Sequence, residues 1–368
     1  MSDNNSRRSG LHINLDERKL SVIFFSLFSS WLLAFPFEGQ ILYSITDYYC
    51  VSAYRYVFIV IAAIFTGLFS GGFIARNRKT AKNLILITII VSMIASGVFF
   101  FPPSYLWIAA LLPAAFFAGC CIAAWGFFVK SSTPKNERIK TMADMLIISN
   151  ILMILFNIAA IHISPQTGLG LSILSLFAAF LLALKLPAGN VEPVNKENSI
   201  GIVKPLAFLC LFIVVITVNS GLMYQVMGPA FAHLGWLTSW YWAIPYIIAI
   251  YIMRNLPRKT NRTYMLYVAI AMIGLSFIGF ITLDRSAAGY FTVNSLMMGA
   301  CGVYDLFWWS ILGEMLDFHK NPAWILGTGL SANVLGVLLG GMIGNAFISA
   351  DMYSPHPTLL ALAVVCVT

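Results

Sequence analysis

Stretches of about twenty apolar residues follow one another along this 368-residue chain, separated by short polar segments. That succession restricts the fold more than any single motif. Hydrocarbon offers no water to a backbone N–H or C=O, so each stretch must close its own hydrogen bonds as a helix. About 20 residues at 1.5 Å each cross the roughly 30 Å core of a bilayer. Ten runs are read directly: 20–42, 56–74, 83–101, 104–128, 142–163, 168–186, 205–226, 263–283, 288–316 and 324–349. The segment 234–253, richer in Trp and Tyr, is an eleventh. A further run begins near Pro357 and reaches Thr368, only about 18 Å of helix. The expectation is of a twelfth helix cut within its length, with a native chain that continues. Composition agrees: 60% of residues are apolar and 10% charged, against about 25% charged in soluble proteins. The reading is an all-α, polytopic membrane protein. It leaves no room for a kinase, a two-domain dehydrogenase or a DNA-binding domain within the chain. The first run is too long for a signal-peptide core and follows a polar tail, so it reads as a retained helix.

Charge placement orients the helices. Of 22 Lys and Arg, all but Arg55 and Arg285 fall in alternate segments that share one side with the N-terminus. Basic residues concentrate in cytoplasmic loops, so the N-terminus is expected in the cytoplasm of a cell-membrane protein. The longest polar stretch after the N-terminal tail is 187–204, with six runs before it and about six after. The predicted organisation is a cytoplasmic tail (1–19), a six-helix bundle (20–186), a cytoplasmic linker (187–204) and a second bundle (205–368), incomplete in its last helix. Such a tandem repeat is common among secondary transporters. The six cysteines, Cys50, Cys120, Cys121, Cys210, Cys301 and Cys366, have no metal or redox spacing.

Between the second and third runs stands Gly67-Leu-Phe-Ser-Gly71-Gly-Phe-Ile-Ala-Arg76-Asn-Arg78-Lys79. This segment resembles the loop signature of the major facilitator superfamily in its glycines, its Ile-Ala pair and its basic cluster. The signature's acid is missing, with Arg76 near its place, and Arg254-Asn-Leu-Pro-Arg258-Lys259 is a weaker echo. The resemblance implies two six-helix bundles, a central cavity lined by the first, fourth, seventh and tenth helices, and gating at the loop that holds Gly67, Gly71, Arg76, Arg78 and Lys79. In that family the missing acid belongs to the charge network that latches the inward-closed state. The antiporter signature of the fifth helix is absent, since 144–162 holds neither Gly nor Pro. Asp305 to Glu314 and Gly329 to Gly336 also resemble regulators in which a facilitator-like bundle precedes a LuxR-type helix-turn-helix.

An ionisable group at mid-membrane costs about 2.5–3.5 kcal/mol on insertion scales and marks a functional site by default. Among fourteen acids only Glu38 and Asp305 fall inside predicted helices away from their ends. Asp305 is near the middle of the tenth helix, with no basic residue within a turn. Its expected role is to bind a proton or a cationic substrate, or else to hydrogen-bond a neighbouring helix. Glu38 follows Pro36, where the ring bends or ends the first helix and frees carbonyls. The seventh helix supplies Asn219, Ser220, Tyr224 and Gln225, either for a polar ligand or as interhelical hydrogen bonds. Trp125 and Tyr304 are candidate aromatic walls, with packing as the plainer role. Asn150, Asn157 and Asn333 are polar groups of unknown facing. The glycines at 336, 340 and 344, like Gly67 and Gly71, suit close helix approach.

No G-x-x-x-x-G-K-[ST], G-x-S-x-G or HExxH is present, and the histidines are scattered. No enzyme, cofactor, metal site or nucleic-acid contact is expected of this chain. The expected partners are the lipid bilayer, a small-molecule substrate or ligand, and a proton. Two readings stand: a facilitator-type secondary transporter working by alternating access, or the membrane-embedded ligand sensor of a LuxR-type regulator.

Overall fold

The computed structural model describes residues 17–37, 39–189, 201–256 and 262–350, and these form α, 3-10 and π helices with no strand. In chain order the α-helices are α1 (Glu17–Ala34), α2 (Gln40–Tyr48), α3 (Tyr54–Ile74), α4 (Arg78–Gly97), α5 (Tyr105–Ser132), α6 (Arg138–His162) and α7 (Pro165–Leu184). After the linker come α8 (Val203–Leu222), α9 (Gly228–Ala230), α10 (Gly235–Thr238), α11 (Ile244–Arg254), α12 (Arg262–Thr282), α13 (Ala287–Met315) and α14 (Pro322–Ala350). Among the described residues nine helices are long and apolar enough to cross a membrane, or ten if a bent pair counts as one span. Most of the linker and all of the expected twelfth helix lie outside the described residues, as does Glu38.

Helix starts follow the local sequence. Asn77 caps α4 in a reciprocal pair with Thr80, and Ser104, Ser164 and Ser286 cap α5, α7 and α13. Each side chain accepts from a backbone N–H that the first turn leaves without a helical partner.

Three predicted helices are interrupted. The first run ends as a helix at Ala34, passes through a turn holding Pro36, and resumes as α2. The eighth was expected as one helix over 234–253, but its two parts meet at a 70° bend near residues 239–240. Trp240 leaves helical geometry there, and Pro245, which has no N–H to give, stands in the first turn of α11. The seventh runs from α8 into a π segment, Met223–Met227, closed by the Gly228 N–H on the Met223 carbonyl. Pro229 follows directly and cannot donate to a carbonyl four residues back, so the wider turn accommodates the loss.

Small residues set the closest approaches. A side-chain carbon at Gly71 would stand 2.9 Å from the Cys120 Cα and the Ala123 Cβ of α5. At Gly221 on α8 it would meet the Gly341 nitrogen of α14 at 2.5 Å and the Gly340 carbonyl carbon at 2.8 Å. Thr217 adds a hydrogen bond from its hydroxyl to the Asn333 carbonyl at 3.1 Å. Apolar side chains such as Ile94, Leu174, Phe208, Leu211, Tyr267 and Leu275 are exposed on the outer surface. A multi-pass membrane protein presents such a surface to lipid.

The backbone of α14 at Gly221 cannot move aside as a flexible side chain would. Gly221→Val is expected to cost about 1–3 kcal/mol by overpacking. The check is the unfolding midpoint in detergent, followed by size-exclusion fluorescence, which should fall by several degrees.

Candidate functional site

A cavity of about 180 Å³ lies between the helices before the linker and those after it. From α8 and the π segment it receives Ile216, Ser220, Met223 and Tyr224, a stripe at helical spacing. From α13 it receives Met298, Cys301, Asp305, Trp308 and neighbours of the same stripe. Phe25, Ser29 and Leu32 of α1 face them, with Ser149 and Asn150 of α6. Tyr246 comes from α11, and Asn333 from α14.

Asp305 is the sole Asp or Glu on this wall, and the wall has no Lys, Arg or His among the described residues. It lies four residues past the midpoint of α13, about 6 Å along the axis. The Tyr246 hydroxyl donates to its Oδ2 at 2.7 Å. The sequence supplied no partner on α13 itself, and the partner comes from the helix that starts at the 70° bend. Asp305 Oδ1 accepts no hydrogen bond among the described residues and is not enclosed, so it is presented to the cavity.

The candidate residues separate into those on this wall and those behind it. Asp305, Tyr224 and Tyr304 line the cavity. Tyr304 stacks on Trp308, ring centres 6.1 Å apart and nearly parallel. Trp125 is fully buried one layer behind, stacked on Phe25 at 4.0 Å and donating to the Ser21 hydroxyl at 3.0 Å. Asn219 is buried off the cavity wall, and its amide donates to the Ile216 carbonyl at 3.2 Å. One residue is 100° of helix, so Ser220 faces the cavity and Asn219 faces the packing. Gln225 lies in the π segment, and Glu38 is outside the described residues. Tyr246, Ser29 and Ser149 did not stand out in the sequence. Asn150 and Asn333 did, without a facing, and both reach the cavity.

The end of the molecule that gathers the basic residues is closed by bridges between the two groups of helices. Arg138, in the first turn of α6 and only 3% exposed, forms a two-pronged pair with Asp317 at 2.8 and 2.9 Å. The same guanidinium donates to the Gly313 carbonyl at 2.8 Å. Further along α6, Asp144 accepts from Arg254 of α11 at 2.6 and 3.2 Å, with Arg18 of α1 at 3.8 Å. Arg18 also pairs with Glu137. At the other end, α6 reaches across by a hydrogen bond between His162 and Ser239 at 3.2 Å.

The predicted gating loop divides by role. Gly67 and Gly71 pack α3 on α5, Arg78 pairs with Glu17 at 3.4 Å and stands over the Phe128 ring, and Arg76 and Lys79 are exposed. Asn321, from the other side of the interface, accepts from the first N–H groups of α14 and donates to the Gly72 carbonyl. A neutral side chain thus caps α14 and ties it to α3.

The helices and cavity define an all-α membrane protein with the fold of the major facilitator superfamily. A solved structure of the human organic anion transporter MFSD10 (TETRAN) is similar over 95% of this chain and 99% of that one, with a TM-score of 0.66 and 12% sequence identity. No family model and no curated protein matches the sequence.

Releasing both α6 bridges should expose the cavity at the basic end. In a protein whose sole cysteine is Cys301, Asp144→Asn with Asp317→Asn is expected to speed labelling by a membrane-impermeant maleimide from that side. The effect should be on the order of tenfold, the population change for about 1.4 kcal/mol of lost closed-state bias.

Proposed function

We propose that this protein is a secondary transporter of the facilitator type, moving a small molecule across the cell membrane by alternating access with Asp305 as its proton-binding group. The observation that carries the proposal is a cavity between two groups of helices, bridged by ion pairs at one end, whose wall holds one carboxyl, Asp305, among the described residues. The division into bundles at 20–186 and 205–368, joined by a cytoplasmic linker, belongs to the same proposal.

The excess of basic residues at the bridged end supports an orientation with that end and the N-terminus in the cytoplasm. In that frame the structure is cytoplasm-closed. The α6 bridges and the Asn321 cap on α14 take over the latch assigned to the missing loop acid. A carboxyl in a low-dielectric cavity has a neutral form that tolerates burial and a charged form that needs a partner. Exchange of a proton for a ligand at Asp305 therefore changes which state the helices favour. Differential stabilisation of two states by a bound species is what drives an alternating cycle.

The test uses the purified chain in liposomes that enclose a pH-sensitive dye. A panel of small cations, neutral solutes and anions is added to vesicles carrying a proton gradient. The expected result is solute-dependent proton flux that Asp305→Asn abolishes and Asp305→Glu keeps in part. Flux that persists unchanged in a folded Asp305→Asn protein removes Asp305 from the coupling. Saturable ligand binding with no flux of any kind marks a sensor rather than a transporter.

A further inference from the structure

We infer that the cavity takes a monovalent organic cation with an apolar body, its charge set against Asp305 and its body among aromatic rings. The inference rests on the transporter reading above and narrows its substrate class. Three features of the wall carry it.

The first is charge. Among the described residues Asp305 is the one acid on the wall, and no Lys, Arg or His stands there to neutralise it. The titratable groups that share the wall are the neutral Tyr246 from α11, Tyr224 from the π segment, and Cys301 and Tyr304 on α13 itself. A cation entering the cavity supplies the missing countercharge, whereas an anion meets a like charge where screening by water is weakest.

The second is the lining. Phe25, Tyr224, Trp242, Tyr246, Trp308 and Trp309 border the space. Aromatic faces attract cations, and sets of them recognise quaternary ammonium groups. An apolar body also suits the Leu, Ile, Val and Met side chains that make up most of the remaining wall, beside three serines and two asparagines.

The third is which hydrogen-bonding atoms remain. Asp305 Oδ1 is open to the cavity. Also on the wall, Asn150 uses its amide nitrogen on the Leu146 carbonyl at 2.8 Å and keeps its carbonyl oxygen. Both positions offer acceptors to a ligand N–H or positive charge, and two donors unpartnered among the described residues, the Tyr304 hydroxyl and the Trp308 indole N–H, remain for a polar group on its body. Among the described residues the charged side chain on this wall is an acid, the wrong sign for an organic anion, the class for which the similar human transporter is named.

The experiment is an equilibrium titration of the full chain in lipid nanodiscs, read by tryptophan fluorescence, since Trp242, Trp308 and Trp309 border the cavity. The probes are benzyltrimethylammonium and phenylmethanesulfonate, which share a benzyl body and differ in the sign of their charge. The expected result at neutral pH is saturable binding of the ammonium at least about tenfold tighter than the sulfonate, a difference of roughly 1.4 kcal/mol. In a folded Asp305→Asn protein the ammonium should lose about that factor. Equal or tighter binding of the sulfonate by the unmutated chain overturns the inference, and so does an unchanged ammonium affinity in folded Asp305→Asn. The comparison of probes on the unmutated chain stands even where the variant does not fold. Uptake of benzyltrimethylammonium into proteoliposomes separates the two readings. Binding without uptake leaves the ligand class in place and removes transport, and uptake of the sulfonate alone leaves transport in place and removes the ligand class.

Discussion

A charge in hydrocarbon must find an opposite charge, a water-filled space or the membrane edge, and the rest of this structure is arranged around that requirement. Lys and Arg collect at helix ends. Where one is buried in protein, as Arg138 is at the start of α6, it is met by both oxygens of Asp317 and by a backbone carbonyl. Asp305 is treated differently. One of its oxygens is held by a neutral hydroxyl and the other is presented to a cavity. The ion pairs bridge the two groups of helices at one end, and Asp305 is left without an oppositely charged partner among the described residues.

Backbone irregularity follows the same line. The turn at Pro36, the π segment at Met223–Met227 and the 70° bend after Thr238 all interrupt chain segments that contribute to the cavity wall. Irregular backbone within a bilayer is tolerated where it is buried in protein or borders a polar space. The bend also starts α11 where Tyr246, one residue after Pro245, reaches Asp305.

Most of the long helices and the glycine contacts could be read from the sequence, because run length and small residues report on spanning and on close packing directly. Pro36 announced its break. Asp305 stood out because an acid within an apolar run has few explanations. The facing of each helix was hidden. In water the buried side of a helix is apolar and the other side polar, but here lipid-facing and core-facing positions are both apolar, so the period of 3.6 is faint. That is why Asn219 and Ser220 were indistinguishable in the sequence and part company in the structure. Arg138 read as an edge charge because its partner lies 179 residues away. Tyr246 was lost among the aromatic residues of the Trp- and Tyr-rich run 234–253.

The π segment has a consequence for the phase of the seventh helix. An i→i+5 turn holds an extra residue relative to an α-helix, so every side chain after it is rotated from where a continuous α-helix would put it. The stripe of Ile216, Ser220, Met223 and Tyr224 faces the cavity, and the stripe is then reset before Met227 turns into the protein. Between Leu222 and Gly228 the chain is therefore better regarded as an α-helix carrying a one-residue insertion. Shortening it by one position would straighten the backbone and swing everything beyond it by about 100°. Sequence comparisons across this point have to be made on each side of the insertion separately, because positions equal in number are not equal in direction.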